Sequence, residues 1–524
     1  MSDFTREEFE RALQHCEAEP IHQLSLIQPH GALLVLAADS PLTVLQASDN
    51  ISDFIDLSEN DVYGKPLSKL IGESAAVQIE QLIRDTSDQS PTTGFISLSF
   101  KQEKLNFQAQ VFISEKMYVL ELLREADAFQ AEQLSELIPL QRSLLSLNTQ
   151  LDTYQYFNRV ALVVCDITKF DRVMIYRFDT NWEGEVIAES RVDSVNSYLG
   201  TRFPAGDIPP QARRLYTSNL VRTIADTEAK PIHVLPALNP LTLQPIDLSH
   251  SSLRSLSPVH VEYLRNMGVQ ASMSISLIQN GRLWGLIVCH HRTPKLVSYT
   301  LHEASTFISH IVSSKLSLME VNEQGNMGME ASRIIGELLK QFSTSTEGAI
   351  FQYLLPSLLN LLDATGVIVA IDGKHYAEGY VPESGAISEL LAYLGRLAEA
   401  DFYSCDSLAQ QFPCAAGYAE IAAGILATPL SIEMHNCIIW FRKEKLRTVQ
   451  WAGNPEKNIL KHDAGIRLSP RKSFENWTES WRGRSAPWSH AETKTARFIS
   501  LALTQGLAQK KQLEKVQEER RHVE

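Results

Sequence analysis

The sequence predicts an α+β protein of three domains joined by long helices. Three observations carry this expectation. The chain has 524 residues, enough for about three domains of ordinary size. Short alternating apolar runs gather in three separate stretches, each a candidate antiparallel sheet. Between and after those stretches the apolar spacing turns helical over long distances.

The first cluster runs from Gly31 to about Glu125. ALLVLAA, TVLQAS, GFISLSF, LNFQAQVFIS and KMYVLELL read as strands, and SAAVQIEQLIRD reads as a helix on one side of them. Helical spacing follows from Phe129 to Asp166, through Leu134, Leu137, Ile138, Leu144, Leu145 and Leu151. In the second cluster DRVMIYRFD alternates, with Met174, Tyr176 and Phe178 on one face. ASMSISLIQNGRLWGLIVCHH reads as a hairpin around Asn280-Gly281, whose residue types favour the tight turn that matches strand twist. Its first strand sets Ser272, Ser274 and Ser276 on one face and Met273, Ile275 and Leu277 on the other. A serine face of that kind points either to solvent or to a polar ligand cavity.

Tyr299 to Phe342 is again helical. The third cluster has strands at GVIVAIDG and CIIWFRK and a helix at ISELLAYLGRLAE. It also holds a stretch, 447–488, rich in Trp, Arg, Gly and Pro and weak in periodicity. Structureless loops of that length are uncommon in compact domains unless they are functional. From Ala491 onward Ile499, Leu503, Leu507, Leu513, Val516 and Val523 form a narrow apolar stripe between charges, as at the start of a coiled coil.

Composition excludes several classes of function. Hydrophobic residues are 44% and charged residues 21%, ordinary for a globular protein. The net charge of −14 disfavours nucleic acid as a partner, because phosphate binding needs a concentrated basic surface. The polar, charged N-terminus carries no secretory signal, and no apolar run is long enough to span a membrane; a cytoplasmic location is expected. The six cysteines form no CxxC pair, so neither a disulfide framework nor a zinc site is indicated. Four of them sit in apolar surroundings, whereas Cys16 lies in the polar segment QHCEAEP.

The motifs that carry chemistry are ordered along the chain. Cys16 precedes IQPHG. YLGTRFPAGDIPPQARRLYTSNLVRTIAD holds Asp207 on a turn before Ile208-Pro209 and leads to Tyr216 and Arg222. Arg254 and SPVHVEYLRNMGV, with Ser257, His260 and Tyr263, come next, then LWGLIVCHH with His290. Two arginines can clamp two carboxylates in bidentate fashion. Histidines and an Asp can hold protons on a nitrogenous cation.

In this ordered set, together with Trp451-Ala452-Gly453 and Pro470-Arg471-Lys472-Ser473-Phe474, the chain resembles the bacteriophytochromes over nearly its whole length. The resemblance implies an N-terminal segment and PAS domain over 1–125 and a GAF chromophore-binding domain over 126–322. It implies a PHY domain over 323–508, with a tongue at about 447–488, and a coiled-coil linker starting at 509–524. A knot between PAS and GAF is implied as well, carrying Cys16 to the GAF pocket. The function implied is red/far-red light sensing by biliverdin IXα, a linear tetrapyrrole bound to Cys16 as a thioether.

The same resemblance implies a role for each site residue. The Asp207 backbone carbonyl and His260 would accept from the pyrrole N–H groups. Arg222 and Arg254 would hold the propionates, assisted by Tyr216, Ser257, Ser272 and Ser274. Tyr176, Phe203, Tyr263 and His290 would surround the ring that rotates, with Met174, Ile208 and Pro209 also in the pocket. Arg471 would pair with Asp207 in the dark, and Trp451, Ser473, Trp477 and Glu479 would take part in refolding of the tongue from strands to helix. The signal would pass through the C-terminal helix of a parallel homodimer to an output domain, a histidine kinase or a diguanylate cyclase; the module itself would not be an enzyme. Gly206 stands where the family commonly has Ser, and Trp-Ala-Gly replaces Trp-Gly-Gly. No cysteine lies beside SPVH, which favours attachment at Cys16 and biliverdin over phycocyanobilin.

Two other readings compete. A non-photic PAS–GAF sensor of a cyclic nucleotide or haem gives Cys16 no role. A metal-dependent hydrolase would use Asp207, His290 and His291, although no HExxH, nucleophile elbow or P-loop is present.

Overall fold

The computed structural model describes residues 19–523 except 40, 57–61, 88–90, 101–102, 125–146, 148–151, 343–344, 397–401, 432–435, 454–457, 463–464 and 470–472. Cys16 and Arg471 lie outside the described residues. So does most of the helical spacing read between Phe129 and Leu151. The chain divides into two units, residues 1–314 with 450–477, and residues 315–449 with 478–524.

The first unit contains two sheets. The first is built from β1 (Leu26–Ile27), β2 (Gly31–Leu36), β3 (Val44–Ser48), β4 (Thr92–Phe100), β5 (Glu103–Ser114) and β6 (Met117–Arg124), and also takes in Ile232–Leu235 from far along the chain. The strand order is β1, Ile232–Leu235, β3, β2, β6, β5, β4, antiparallel throughout. Alternation in β2 explains how both faces are buried. Ala32, Leu34 and Leu36 face a core closed by Ala75 and Ile79 of the helix Glu73–Asp85. Leu33 and Val35 face Val234, Ile246, Leu248 and Leu253. The second face is thus covered by the downstream segment, and Gly31 admits it closely: a Cβ there would lie 2.6 Å from Leu253.

The second sheet comprises β7 (Arg172–Phe178), β8 (Gly184–Arg191), β9 (Thr201–Phe203), β10 (Val221–Ile224), β12 (Ala271–Gln279) and β13 (Arg282–His291), with β11 being Ile232–Leu235 above. Its order is β10-β12-β13-β7-β8-β9, antiparallel. Asn280 and Gly281 take φ of 51° and 75° between β12 and β13, the two left-handed residues that the expected hairpin turn requires. One face packs on helices: Ser305 of the helix Tyr299–Phe342 reaches Met273 Sδ at 3.7 Å, and the helix Thr153–Thr168 lies against β7 and β8. The other face forms the candidate site.

The second unit holds a five-stranded antiparallel sheet, β15-β14-β18-β17-β16. It is made of β14 (Gly366–Ile371), β15 (Lys374–Gly379), β16 (Tyr403–Cys405), β17 (Gly424–Pro429) and β18 (Cys437–Arg442). Val367, Val369 and Ile371 face one core, and Ile368 and Ala370 the other. The first core is closed by Ile334 and Leu338, by the helix Glu347–Leu361 and by Ile499 and Leu503 of the helix His490–Val523. The expected coiled-coil stripe therefore begins inside this domain: Ile499 and Leu503 are buried in it, while Val516 is exposed. The second core is closed by the helix Ser384–Gly395.

The stretch 447–488, weak in periodicity, nevertheless forms strands: β19 (Arg447–Ala452), β20 (Asn458–His462), β21 (Gly465–Ser469) and β22 (Asn476–Trp481). Pairing rather than apolar alternation makes them. β20 pairs with β21, and Gln450 and Trp451 pair in parallel with Thr201 and Arg202 of β9. Among the cysteines, Cys289 and Cys437 are buried, Cys165 and Cys405 partly so, and Cys414 is exposed. Among the described residues no helix is long and apolar enough to cross a membrane.

Candidate functional site

Strand register assembles the site. Residues directly opposed on neighbouring antiparallel strands project to the same face. One row across the second sheet reads Arg222, Ser274, Val288, Met174. The next reads Ile224, Ser272, His290, Arg172, and a third reads Ser276, Leu286, Tyr176. The serine face expected from the sequence is therefore turned inward, with Ser272, Ser274 and Ser276 all buried. It shares that face with Arg222, His290, Met174 and Tyr176.

At one end lie two buried guanidinium groups. Arg222 donates to the carbonyls of Ser252 (3.3 Å), Arg254 and Ser255 (3.2 Å). Arg254 donates to the Ile21 carbonyl at 3.3 Å. Neither makes an ion pair with a carboxylate among the described residues. Burial, with Arg254 close by, pushes the Arg222 guanidinium down to about 9, and burial lowers that of Arg254. Removal of water from around the guanidinium is the main cause in both. Tyr216 lies near both.

At the other end the lining is aromatic. Tyr176 meets Phe203 at 5.7 Å between ring centroids, and Phe203 meets Tyr198 at the same distance. The Tyr263 hydroxyl donates to Asp207 Oδ2 at 3.0 Å. Its ring stacks on His260 and meets Phe474 edge-on at 5.1 Å. Asp207 ends a short 3-10 turn, Ala205–Asp207, and Ile208 packs with Met174, Tyr176 and Phe203. Pro209 precedes the helix Pro210–Ser218, where Pro at the first helical position costs no hydrogen bond. Gly184 makes room for the wall: a Cβ there would stand 1.7 Å from Tyr176 Cζ.

The two histidines are held neutral. Burial, helped by Arg222 and Arg254, pushes His260 down to about 4. Burial, helped by Arg172 and His260, pushes His290 down to about 3. A neutral imidazole keeps one nitrogen free to accept.

Ser257, Ser473 and Trp477 have local partners or exposed positions. Ser257 caps the helix Pro258–Asn266, its Oγ 3.4 Å from the His260 N–H, so part of its bonding is local. Ser473 Oγ accepts from the Glu475 N–H, and Trp477 is exposed, whereas Trp451 is buried. Glu479 belongs to the other unit. Near the site, Ala452 and Phe474 join the Tyr176–Phe203 cluster, and Gly453 N–H bonds to the Glu475 carbonyl at 2.9 Å. Arg172 was not anticipated. It is buried, lies 3.5 Å from Glu189 Oε1 and sits over the Tyr198 ring. The signal was available, since Arg172 has the same parity as Met174 and Tyr176.

The metal-hydrolase reading is overturned. His290 and His291 are adjacent on a strand and face opposite ways. His291 Nδ1 lies 3.2 Å from Asp171 Oδ2. Among the described residues no His, Cys, Asp and Glu group could hold a metal. A cavity of about 460 Å³ opens on the opposite face of β10, lined by Val221, Thr223, His30, His250 and Lys295, and none of the expected ligand contacts lines it.

What the site lacks is informative. Arg254 Nε, Ser276 Oγ and His290 Nδ1 are buried and have no hydrogen-bond partner among the described residues. Buried polar atoms are nearly always bonded. These atoms fit an elongated ligand with acidic groups at the arginine end and hydrogen-bonding groups along the serine–histidine face.

Comparison with known proteins places the architecture. Three family models match in order: the PAS fold over residues 16–124, the GAF domain over 152–313 and the phytochrome region over 331–512. Their order defines the class as a PAS–GAF–PHY protein, and none of the three describes a catalytic domain. The chain is 37% identical over 506 residues to cyanobacterial phytochrome B of Nostoc sp., covering 94% of this chain and 66% of that protein. It thus spans slightly less than two thirds of that relative's length. Among solved structures, a bacteriophytochrome from the photosynthetic bacterium R. palustris superposes with a TM-score of 0.82 at 31% identity, covering 94% of this chain and 99% of that one. The Stigmatella aurantiaca phytochrome photosensory core module gives 0.83 at 35%, covering 94% and 98%. The chain belongs to the bacteriophytochrome family.

Proposed function

We propose that this chain is the photosensory part of a red/far-red light receptor, and that its GAF domain holds biliverdin IXα through a thioether to Cys16. The observation that carries the reading is the pair of buried guanidiniums, Arg222 and Arg254, with no carboxylate paired to either among the described residues. A bilin carries two propionates and would supply the missing charge. Bound there, it supplies absorption of red light and a double bond that isomerises.

The residues divide the remaining work. Arg222 and Arg254 hold the carboxylates, with Tyr216, Ser257, Ser272 and Ser274 beside them. His260, held neutral, and the Asp207 carbonyl accept from pyrrole N–H groups. Tyr176, Phe203, Tyr263 and His290 form the wall in which a ring turns, with Met174, Ile208 and Pro209 completing it. Cys16 is the attachment point. Segment 21–28 supports this, because it runs among residues 223–255: Gln28 Nε2 donates to the Thr223 carbonyl, and Gln28 Oε1 accepts from Ala225 N–H, both at 3.0 Å. We read this as the threading that brings Cys16 to the pocket.

Arg471 pairs with Asp207 in the dark and parts from it in the light, with Trp451, Ser473, Trp477 and Glu479 changing partners as the 447–488 stretch refolds. The domain limits are 1–125, 126–322 and 323–508. Exposed Phe307, Leu318, Val321 and Met329 on the helix Tyr299–Phe342 support a parallel homodimer. The greater length of the Nostoc relative supports an output domain, a histidine kinase or diguanylate cyclase, in the whole protein. The deciding experiment mixes the apoprotein with biliverdin and records spectra before and after red light. A reversible red to far-red change is expected. No change in absorption rejects the reading.

A further inference from the structure

The carboxyl group of Glu121 is fully buried, and the proposed light reaction gives it no task. It sits on β6, the strand between β2 and β5 of the first sheet. Among the described residues, its side-chain hydrogen-bond partners all lie in one loop about 130 residues downstream. Oε1 accepts from the Ser251 hydroxyl and from the Leu253 N–H (3.3 Å). Oε2 accepts from the Ser252 N–H (3.1 Å) and the Ser252 hydroxyl (2.6 Å). The same loop supplies the carbonyls of Ser252, Arg254 and Ser255 that hold the Arg222 guanidinium. One carboxylate thus fixes the N–H side of a short backbone segment whose C=O side fixes Arg222.

Electrostatics point the same way. Burial raises the Glu121 pKa and the Ser251, Ser252 and Leu253 donors oppose that rise, while Glu121 in turn raises the Arg222 pKa against the effect of burial. Removing water from a carboxylate is costly unless several donors replace it. Four donors aimed at one group supply that replacement, and they do so only with the loop in this conformation.

We propose that Glu121 is a positioning residue for the acidic end of the ligand: a carboxylate of the PAS sheet that presets the Arg222–Arg254 clamp of the GAF pocket through loop 251–255. The role rests on the reading of that clamp as the propionate site. It makes a strand of the PAS sheet part of the binding machinery, with Glu121 acting through the loop and not on the ligand itself. Glu121 keeps the loop carbonyls where the guanidinium needs them, so Arg222 meets the ligand already oriented and less ordering is required on binding.

The test compares two bilins. Biliverdin carries both propionates, whereas its dimethyl ester has the same ring system and no carboxylates. Affinities are measured in a Cys16→Ala background, which removes the thiol that would make capture irreversible. The parent should bind the diacid more tightly than the diester. Glu121→Gln should lower the affinity for the diacid about tenfold, roughly 1.4 kcal/mol, and leave that for the diester within about twofold. Equal weakening for both bilins, or for neither, overturns the role and leaves the clamp standing. A parent that takes up no bilin, or does not distinguish the two, overturns the clamp and this role with it. Should Glu121→Gln not fold, as judged by thermal melting of the apoprotein, the double variant Ser251→Ala/Ser252→Ala carries the same comparison. It should show a selective loss of about threefold for the diacid, and an unselective loss overturns the role.

Discussion

At the arginine end of the GAF pocket, Arg222 is gripped by three backbone carbonyls, and the loop that bears them is itself gripped by Glu121. At the aromatic end, Tyr176 and Phe203 meet at a tilt and Tyr263 and Phe474 edge-on, with a hydrogen bond from Tyr263 to Asp207 and a contact to the 450–477 stretch. The first end would lose buried charge satisfaction if it moved. The second can exchange ring contacts, each worth about 0.5–1.5 kcal/mol beyond burial, one at a time. A receptor needs both: a ligand held by a rigid end delivers its motion to the end that gives.

The comparison can be broken most readily at the rigid end. Arg222→Ala should weaken biliverdin binding about a hundredfold, roughly 2.7 kcal/mol, as expected for one side of a desolvated charge pair. Titration of the apoprotein followed by absorbance checks this, and a change below about threefold would place the ligand's charge elsewhere. At the other end Gly184→Ala drives a Cβ into the Tyr176 ring. It should cost about 1–3 kcal/mol of apoprotein stability in a denaturant melt, and shift the bilin absorption band while affinity changes little.

Acid sharpens the comparison, because it acts on the histidines between the two ends. His260 and His290 are pushed below the ordinary value of 6.5, to about 4 and about 3. Between 6.5 and those values the unfolded chain binds more protons than the folded one, so stability falls as pH drops through this window and is level above it. The apoprotein should melt several degrees lower at pH 5 than at pH 7.5, and His290→Gln should flatten part of that slope. Tyr263→Phe is the mildest change. It removes one hydrogen bond, worth about 1 kcal/mol, and should leave affinity within about twofold while altering the rate of dark return several-fold in absorbance traces.

The sequence made much of this site readable, for particular reasons. The hairpin at Asn280-Gly281 and the serine face were legible because turn chemistry and period-two alternation are local. The helix Tyr299–Phe342 begins and ends where its apolar spacing does. Glu121 was not legible: in KMYVLELL it looks like the polar member of an alternating strand, and only the distant Ser251–Leu253 loop gives it partners. The strands of 447–488 leave no periodicity in the sequence, because they depend on pairing rather than on an apolar face; only the family resemblance implies them. Arg172 was overlooked although its parity with Met174 and Tyr176 placed it on the pocket face.

The insertion of Ile232–Leu235 between β1 and β3 bears on how the protein is made. The first sheet pairs residue 26 with residue 233, so it closes a loop of about two hundred residues, and such non-local pairing slows folding. On the ribosome β6 emerges 111 residues before Leu235, a wait of about 6–22 s at 5–20 residues per second. Through that interval β1 and β3 expose unpaired edges, and the face of Leu33 and Val35 lacks its cover of Val234, Ile246 and Leu253. The domain that is synthesised first is the one completed by its successor, and a fragment cut at 125 would carry an open sheet edge prone to self-association.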